Sequence, residues 1–309
     1  MERRQLLKAG IAGAAGLAIG PVADVARVFA QGADVQKLAD DLFVIRIPGE
    51  ANVVAHTSAA GVTLVDGASA AASDALLKAV ASLTSVQGGG AGNVVQTLFN
   101  THWHPEQTGL NETIGKAGKT IVAQENTRLW LATDVRWPWN GRRFARLPKV
   151  AQPNKTFYTT GELKPGITYG YVPDAAHTDG DLYVRFETQN VIAAGDVICG
   201  EGWPVVDYAT GGWIGGIVGG LQRLLALSND TTRFVPGRGP VLTLADLKSQ
   251  YDMYGKIYER LTTLLNRGKG PGEAVAANPT KEFDAKMGNP DEFVRRAFES
   301  LWGYLSPDA

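Results

Sequence analysis

The chain has 309 residues, a formal net charge of −1, 44% hydrophobic and 20% charged residues. These proportions fit an ordinary globular protein long enough to bury a sizeable core, and the near-zero charge gives no basis for binding nucleic acid. Cys199 is the only cysteine, which excludes an internal disulfide and a thiolate metal cluster; it reads as a small residue buried beside a site rather than as a nucleophile.

Residues 1–30 read as an export signal. Arg3 and Arg4 precede Leu6, Leu7 and Lys8, a weakly apolar stretch rich in Gly and Ala runs from Ala9 to about Ala23, and Val28-Phe29-Ala30 offers the small or tolerated residues a signal peptidase reads. The order resembles a twin-arginine signal, with Glu2 where Ser or Thr is usual. The apolar stretch is too short and too rich in Gly and Ala for a stable membrane span. The expected partner is the twin-arginine export machinery, the expected destination the periplasm, and the expected mature chain a single domain over residues 31–309. Replacing Arg3 and Arg4 by lysine is expected to strand precursor in the cytoplasm; unchanged export would make the pair incidental.

Beyond the signal, Leu42–Ile47, Asn52–Thr57 and Gly61–Asp66 read as strands, the last two joined by a turn at Ser58-Ala59-Ala60. Ala70 to Leu83 has helical spacing, with Leu76, Leu77, Val80 and Leu83 on one face. A Gly-rich loop spans Gln87 to Gly92, and Val94–Phe99 is a buried strand leading toward His102. A helix near Leu110–Lys116, a strand at Thr120–Ala123 and a helix near Glu125–Leu131 follow. Later strands are predicted at Ile167–Val172, Leu182–Phe186, Val191–Ala194 and Arg233–Val235. Helices are predicted at Trp213–Leu227, Leu242–Asn266 and Asp291–Trp302. Strands with interleaved helices in two similar halves suggest two sheets covered by helices.

Residues 134–150 stand apart, with Arg136, Arg142, Arg143, Arg146 and Lys149 beside Trp137 and Trp139. Two readings stay open: a lid that steers an anionic substrate or contacts a partner, or a surface loop whose tryptophans pack on the domain.

Three of the chain's four histidines lie where a metal needs them. His102 and His104 follow an apolar strand, His177 sits in a His-Thr-Asp-Gly-Asp turn, and Asp196 follows another apolar run. Three imidazoles and a carboxylate form a set for zinc or a similar transition metal. A His-x-His continuing a strand would send both rings to one face and Trp103 to the other. His56, in mid-strand, reads as a packed residue. Asp207 reads equally as a carboxylate orienting a ligand histidine or as a turn cap. Gly211, Gly212, Gly215, Gly216, Gly219 and Gly220 read as positions of close helix packing, because no Lys-Ser/Thr follows to make a phosphate loop.

On these residues the sequence resembles the metallo-β-lactamase fold superfamily, over about Leu42 to Leu265. That family has an Asp after an early strand, the run His-x-His-x-Asp-His, a later His, a later Gly-Asp and a Gly-His-Gly turn. Asp66, His102, His104, His177 and Asp196 match in order. Glu106, Gln107 and Arg238 depart, standing where the family has Asp, His and His. The resemblance implies an α+β fold, an αββα four-layer sandwich, with the site along the edge between its sheets. It also implies one intact metal position and a second that has lost its imidazoles, since arginine stays protonated and cannot ligate. Arg238 is expected to put a guanidinium in place of the second cation, paired with Glu106 and Asp196.

The implied function is an exported metallohydrolase holding one divalent ion, zinc or iron, in His102, His104, His177 and Asp196. It would act on a small-molecule substrate: an ester, lactone, thioester or amide. Asp196 would ligate or orient the attacking water, Glu106 would move the proton, and Arg238 would hold Glu106 or stabilise oxyanion charge. Two alternatives remain: a mononuclear iron protein oxidising persulfide sulfur, and a member that binds a metal or ligand without catalysis.

Overall fold

The computed structural model describes residues 27–30, 32–83, 94–173 and 175–305. The Gly-rich loop expected at Gln87–Gly92 and most of the expected signal segment lie outside them. Residues 27–30 form strand β1 (Arg27–Ala30), which pairs antiparallel with β2 (Ala33–Ala39).

One apolar run after another becomes a strand of the first sheet. β3 (Leu42–Arg46), β4 (Val53–Ser58) and β5 (Gly61–Val65) continue an antiparallel meander. β6 (Val95–Phe99), β7 (Thr120–Gln124) and β10 (Lys155–Phe157) then add in parallel. Parallel neighbours need crossovers. These are α1 (Ser73–Leu83), then α2 (Pro105–Thr108) with α3 (Asn111–Lys116), then α4 (Glu125–Leu131) with the hairpin β8 (Val135–Arg136) and β9 (Arg143–Phe144).

The second sheet runs β11 (Thr160–Lys164), β12 (Ile167–Tyr171), β13 (Leu182–Phe186), β14 (Val191–Ala193) and β15 (Arg233–Val235). Its last pair is parallel, with α5 (Ile214–Ala226) crossing between them. Then come α6 (Leu244–Asn266), α7 (Pro271–Ala276), α8 (Asp284–Met287) and α9 (Asp291–Leu305).

Side chains alternate along each strand, so each sheet feeds two cores. On β4, Val54 faces the second sheet, while Val53 and Ala55 face α1 and α3 with Leu76, Val80 and Ile114. Phe99, Val65 and Val44 meet Tyr169, Val184 and Phe186 between the sheets. Ile192 and Phe234 meet Ile217, Leu221, Tyr254 and Phe298 on the far side. Helix, sheet, sheet, helix is the expected four-layer sandwich. His56 packs within it, stacked on Phe186 at 5.7 Å with Nε2 3.3 Å from Asp41. The small residues of α5 allow close approach, as expected: a Cβ on Gly220 would lie 2.8 Å from Val172.

Some boundaries moved for physical reasons. α6 starts two residues after Leu242, because Leu242 makes a bridge to Phe234 and Thr243 caps the helix in a reciprocal pair with Asp246. The 3₁₀ turn Ala70–Ala72 precedes α1. No helix among the described residues is long and apolar enough to cross a membrane.

Candidate metal centre

The chain leaves β6 at Phe99 and enters a loop locked by amides. Asn100 and Asn111 exchange side-chain hydrogen bonds at 2.9 Å each, and Asn100 also donates to the Gln107 carbonyl at 3.2 Å. His102 and His104 lie in this loop, so strand alternation is not what aims them. His104 instead takes an extended conformation (φ −62°, ψ 149°) as the N-cap of α2. Trp103 does turn away, into a separate apolar cluster with Leu131, Val135 and Trp137.

His177 lies between β12 and β13. The Asp181 carboxylate clamps its turn, accepting from the amides of His177 (2.6 Å) and Thr178 (2.9 Å) and from the Thr178 hydroxyl (2.7 Å). Asp196 lies in the 3₁₀ turn Gly195–Val197 after β14. Two glycines admit it. Gly195 has φ +52° and its backbone abuts Thr101, and a Cβ on Gly237 would fall 1.7 Å from Asp196 Oδ1.

One potential ligand atom from each of His102, His104, His177 and Asp196 comes within 4.8 Å of the others. His104 Nδ1 is 3.1 Å from His177 Nε2, and Asp196 Oδ2 is 3.7 Å from His102 Nε2 and 3.8 Å from His177 Nε2. All three rings are buried, and among the described residues His102 Nε2 has no hydrogen-bond partner. Burial, reinforced by the neighbouring His177, His104 and Arg238, holds the His102 imidazole well below its usual range. It is therefore neutral, the form that ligates.

The far nitrogen of each ring decides its tautomer. His177 Nδ1 faces the Val205 carbonyl at 2.7 Å, which can only accept, so Nε2 is bare. His104 Nε2 faces Asp207 Oδ2 at 2.9 Å, which leaves Nδ1 bare. His102 Nδ1 faces Thr101 Oγ1 at 3.1 Å; that hydroxyl in turn donates to Asp66, at 2.9 Å from Oδ2. Three lone pairs thus converge, each backed by an oxygen, as ligand histidines require. Burial pushes the Asp66 carboxyl well above its usual range, opposed by hydrogen bonds from Thr101. The relay needs Asp66 ionised, a state that a cation at the imidazoles favours.

Asp207 is fully buried. Burial alone would raise its carboxyl, but the hydrogen bond and charge of His104 and the bond from Thr210 bring it below the usual range. Oδ2 also accepts from Thr210 Oγ1 (2.7 Å) and Trp137 Nε1 (3.2 Å). Of its two sequence readings, the ligand-orienting one fits this geometry.

The expected cluster of Arg238 with Glu106 and Asp196 does not form. Arg238 donates to the Gly49 carbonyl at 3.2 Å, and among the described residues no ion pair within 4.0 Å joins it to either acid. Asp196 turns Oδ2 toward the imidazoles and packs Oδ1 on Gly237. Arg238 still lines a cavity of about 190 Å³ together with Asp196, Cys199, Glu201 and Trp203. Glu106 is half-buried in α2. Gln107 is fully buried, and among the described residues neither of its side-chain polar atoms has a partner. Cys199 donates to the carbonyls of Glu201 and Gly202, and burial pushes its thiol up to about 12, so it is inert.

In the 134–150 segment, all five cations are exposed, while Trp137 is buried and Trp139 half-buried. Sequence reasoning did not single out Thr101, Thr210 or Trp137 as supports. Thr101 had a signal, its place beside His102; the other two meet the site only through the fold.

The two halves of the four-layer sandwich meet at three buried histidines and one half-buried aspartate, a set suited to a transition metal. The model of the metallo-beta-lactamase superfamily matches residues 46–254, and the chain belongs to that superfamily. No curated protein matches it. Among solved structures, the DIM-1 metallo-beta-lactamase is similar at 16% identity and TM-score 0.56, covering 74% of this chain and 99% of its own. A metallo-beta-lactamase from Erythrobacter litoralis is similar at 15% identity and TM-score 0.58, covering 74% and 99%. The stereoselective inverting sec-alkylsulfatase Pisa1 from Pseudomonas sp. reaches TM-score 0.67 at 15% identity, covering 89% of this chain and 51% of its own. At such identities the likeness concerns the fold.

Proposed function

We propose that this protein is a metal-dependent hydrolase of a small ester, lactone, thioester or amide, using one ion held by His102, His104, His177 and Asp196. The observation that carries the reading is the convergence of three imidazoles and one carboxylate within 4.8 Å, with His102 Nε2 buried and without a partner among the described residues. A divalent metal there supplies Lewis acidity and lowers the pKa of a water to roughly 7.

The chain's own groups do the rest. Asp196 orients the water with the carboxylate edge that faces the rings. Glu106, two residues beyond His104 and half-buried, carries the proton between water and leaving group. Arg238, which lines the same cavity as Asp196, offers guanidinium donors to an anionic part of the substrate. A sulfate ester is a specific candidate, favoured by the Arg238 guanidinium beside the centre.

One ion rather than two is expected, because Gln107 and Arg238 replace imidazoles at the second position. Elemental analysis of protein matured in its native compartment is expected to give about one equivalent of zinc or iron per chain. Two tightly held equivalents would refute the mononuclear reading. The triple variant Glu106→Asp, Gln107→His, Arg238→His should gain a second ion, and Arg238→His alone should not. Hydrolysis assays with alkyl sulfates, lactones, thioesters and β-lactams test the reaction; a metal-loaded protein inactive on all of them removes the hydrolase reading.

A further inference from the structure

The Arg- and Trp-rich segment reaches into the ligand shell at one point. Trp137 follows β8, and its backbone closes a turn with Gly141 and Arg142. Its indole is 8% exposed. The ring sits edge-on to His104 at 5.3 Å and to Phe144 at 4.7 Å, and stacks on Trp139 at 4.9 Å. Arg142 covers it, 5.6 Å from the ring. Nε1 donates to Asp207 Oδ2, the same oxygen that accepts from His104 Nε2, while Asp207 Oδ1 has no partner among the described residues.

We propose that Trp137 is a positioning residue for the metal ligand His104. A buried carboxylate has two equivalent oxygens and can rotate to offer either. With the Trp137 indole and the Thr210 hydroxyl both aimed at Oδ2, that oxygen stays turned to the imidazole. The carboxylate then fixes the Nε2–H tautomer, and the indole edge holds the ring plane. The hairpin β8–β9 is thus a brace on a ligand. Trp139 supplies the contrast. It stacks on Trp137, packs at a tilt against Tyr208 and lies near Arg296, but among the described residues it makes no hydrogen bond to Asp207.

The proposal rests on the metal reading but not on the reaction. Trp137→Phe keeps an aromatic ring and removes the N–H; Trp139→Phe removes comparable packing without touching Asp207. Zinc affinity is measured by chelator competition, and ligand geometry by the visible spectrum of the cobalt-substituted protein. Trp137→Phe is expected to bind zinc about 10-fold more weakly with altered cobalt bands, and Trp139→Phe to match wild type in both. Wild-type behaviour of Trp137→Phe, or equal weakening in both variants, overturns the proposal. If the wild-type protein holds no metal, the metal reading fails by itself. NMR of the histidine-labelled apo-protein then decides this one: a single His104 tautomer in wild type that becomes mixed in Trp137→Phe supports it, and an unchanged tautomer refutes it.

Discussion

His177→Ala is expected to weaken metal binding by more than the roughly 100-fold that loss of a supporting partner costs. It removes one of only three imidazoles in the ligand set. Stability should follow, because a ligand present at about 1,000 times its dissociation constant stabilises the folded state by roughly 4 kcal/mol. Wild-type protein stripped with a chelator should therefore melt roughly 10 °C lower than loaded protein. His177→Ala should melt at one temperature with or without metal. A variant that still shows the full metal-dependent shift would mean that the ion is held elsewhere.

Asp207→Ala should be the most damaging single change among the supporting residues. It takes the acceptor from His104 Nε2, Trp137 Nε1 and Thr210 Oγ1 at once, in a place with no access to water. Each buried donor left without an acceptor costs about 1–3 kcal/mol. The metal-free protein itself should lose that much in urea unfolding, and metal affinity should fall roughly 10- to 100-fold on top. Asp207→Asn keeps one acceptor oxygen and should recover part of both losses. A loss below about 1 kcal/mol for the alanine variant would show that the three donors find other acceptors, and the orienting role would fall with it.

Much of this was legible in the residues. Strands such as Leu182–Phe186 and Arg233–Val235 and the helix Glu125–Leu131 begin and end where the sequence puts them. Each is a short apolar or amphipathic run bounded by turn residues. The ligand set was legible because histidine is scarce and the chain places three of its four in loops after apolar runs or before them. Strand β2 and the edge strand β11 were not, since polar residues alternate along each and their residues look like loop. Arg238 was misplaced for a different reason. A spacing motif fixes its backbone beside Asp196, but the side chain chooses among acceptors, and the Gly49 carbonyl is a neighbour only in three dimensions. Trp137 lay 33 positions beyond His104 in a segment with two open readings, and nothing local links it to Asp207.

The centre draws its ligands from both halves of the sandwich: His102 and His104 from the loop after β6, His177 and Asp196 from loops flanking β13 and β14. The apolar layer between the sheets is therefore a gauge. Phe99, Val65, Tyr169, Val184 and Phe186 set how far apart the two ligand pairs stand. A close-packed interior passes small displacements on rather than absorbing them, and a functional constellation tolerates only about 0.5 Å of drift. A methylene removed from that layer, far from any histidine, changes the width of the gauge. The residues that merely fill the space between two sheets thereby take part in choosing which ion fits between them.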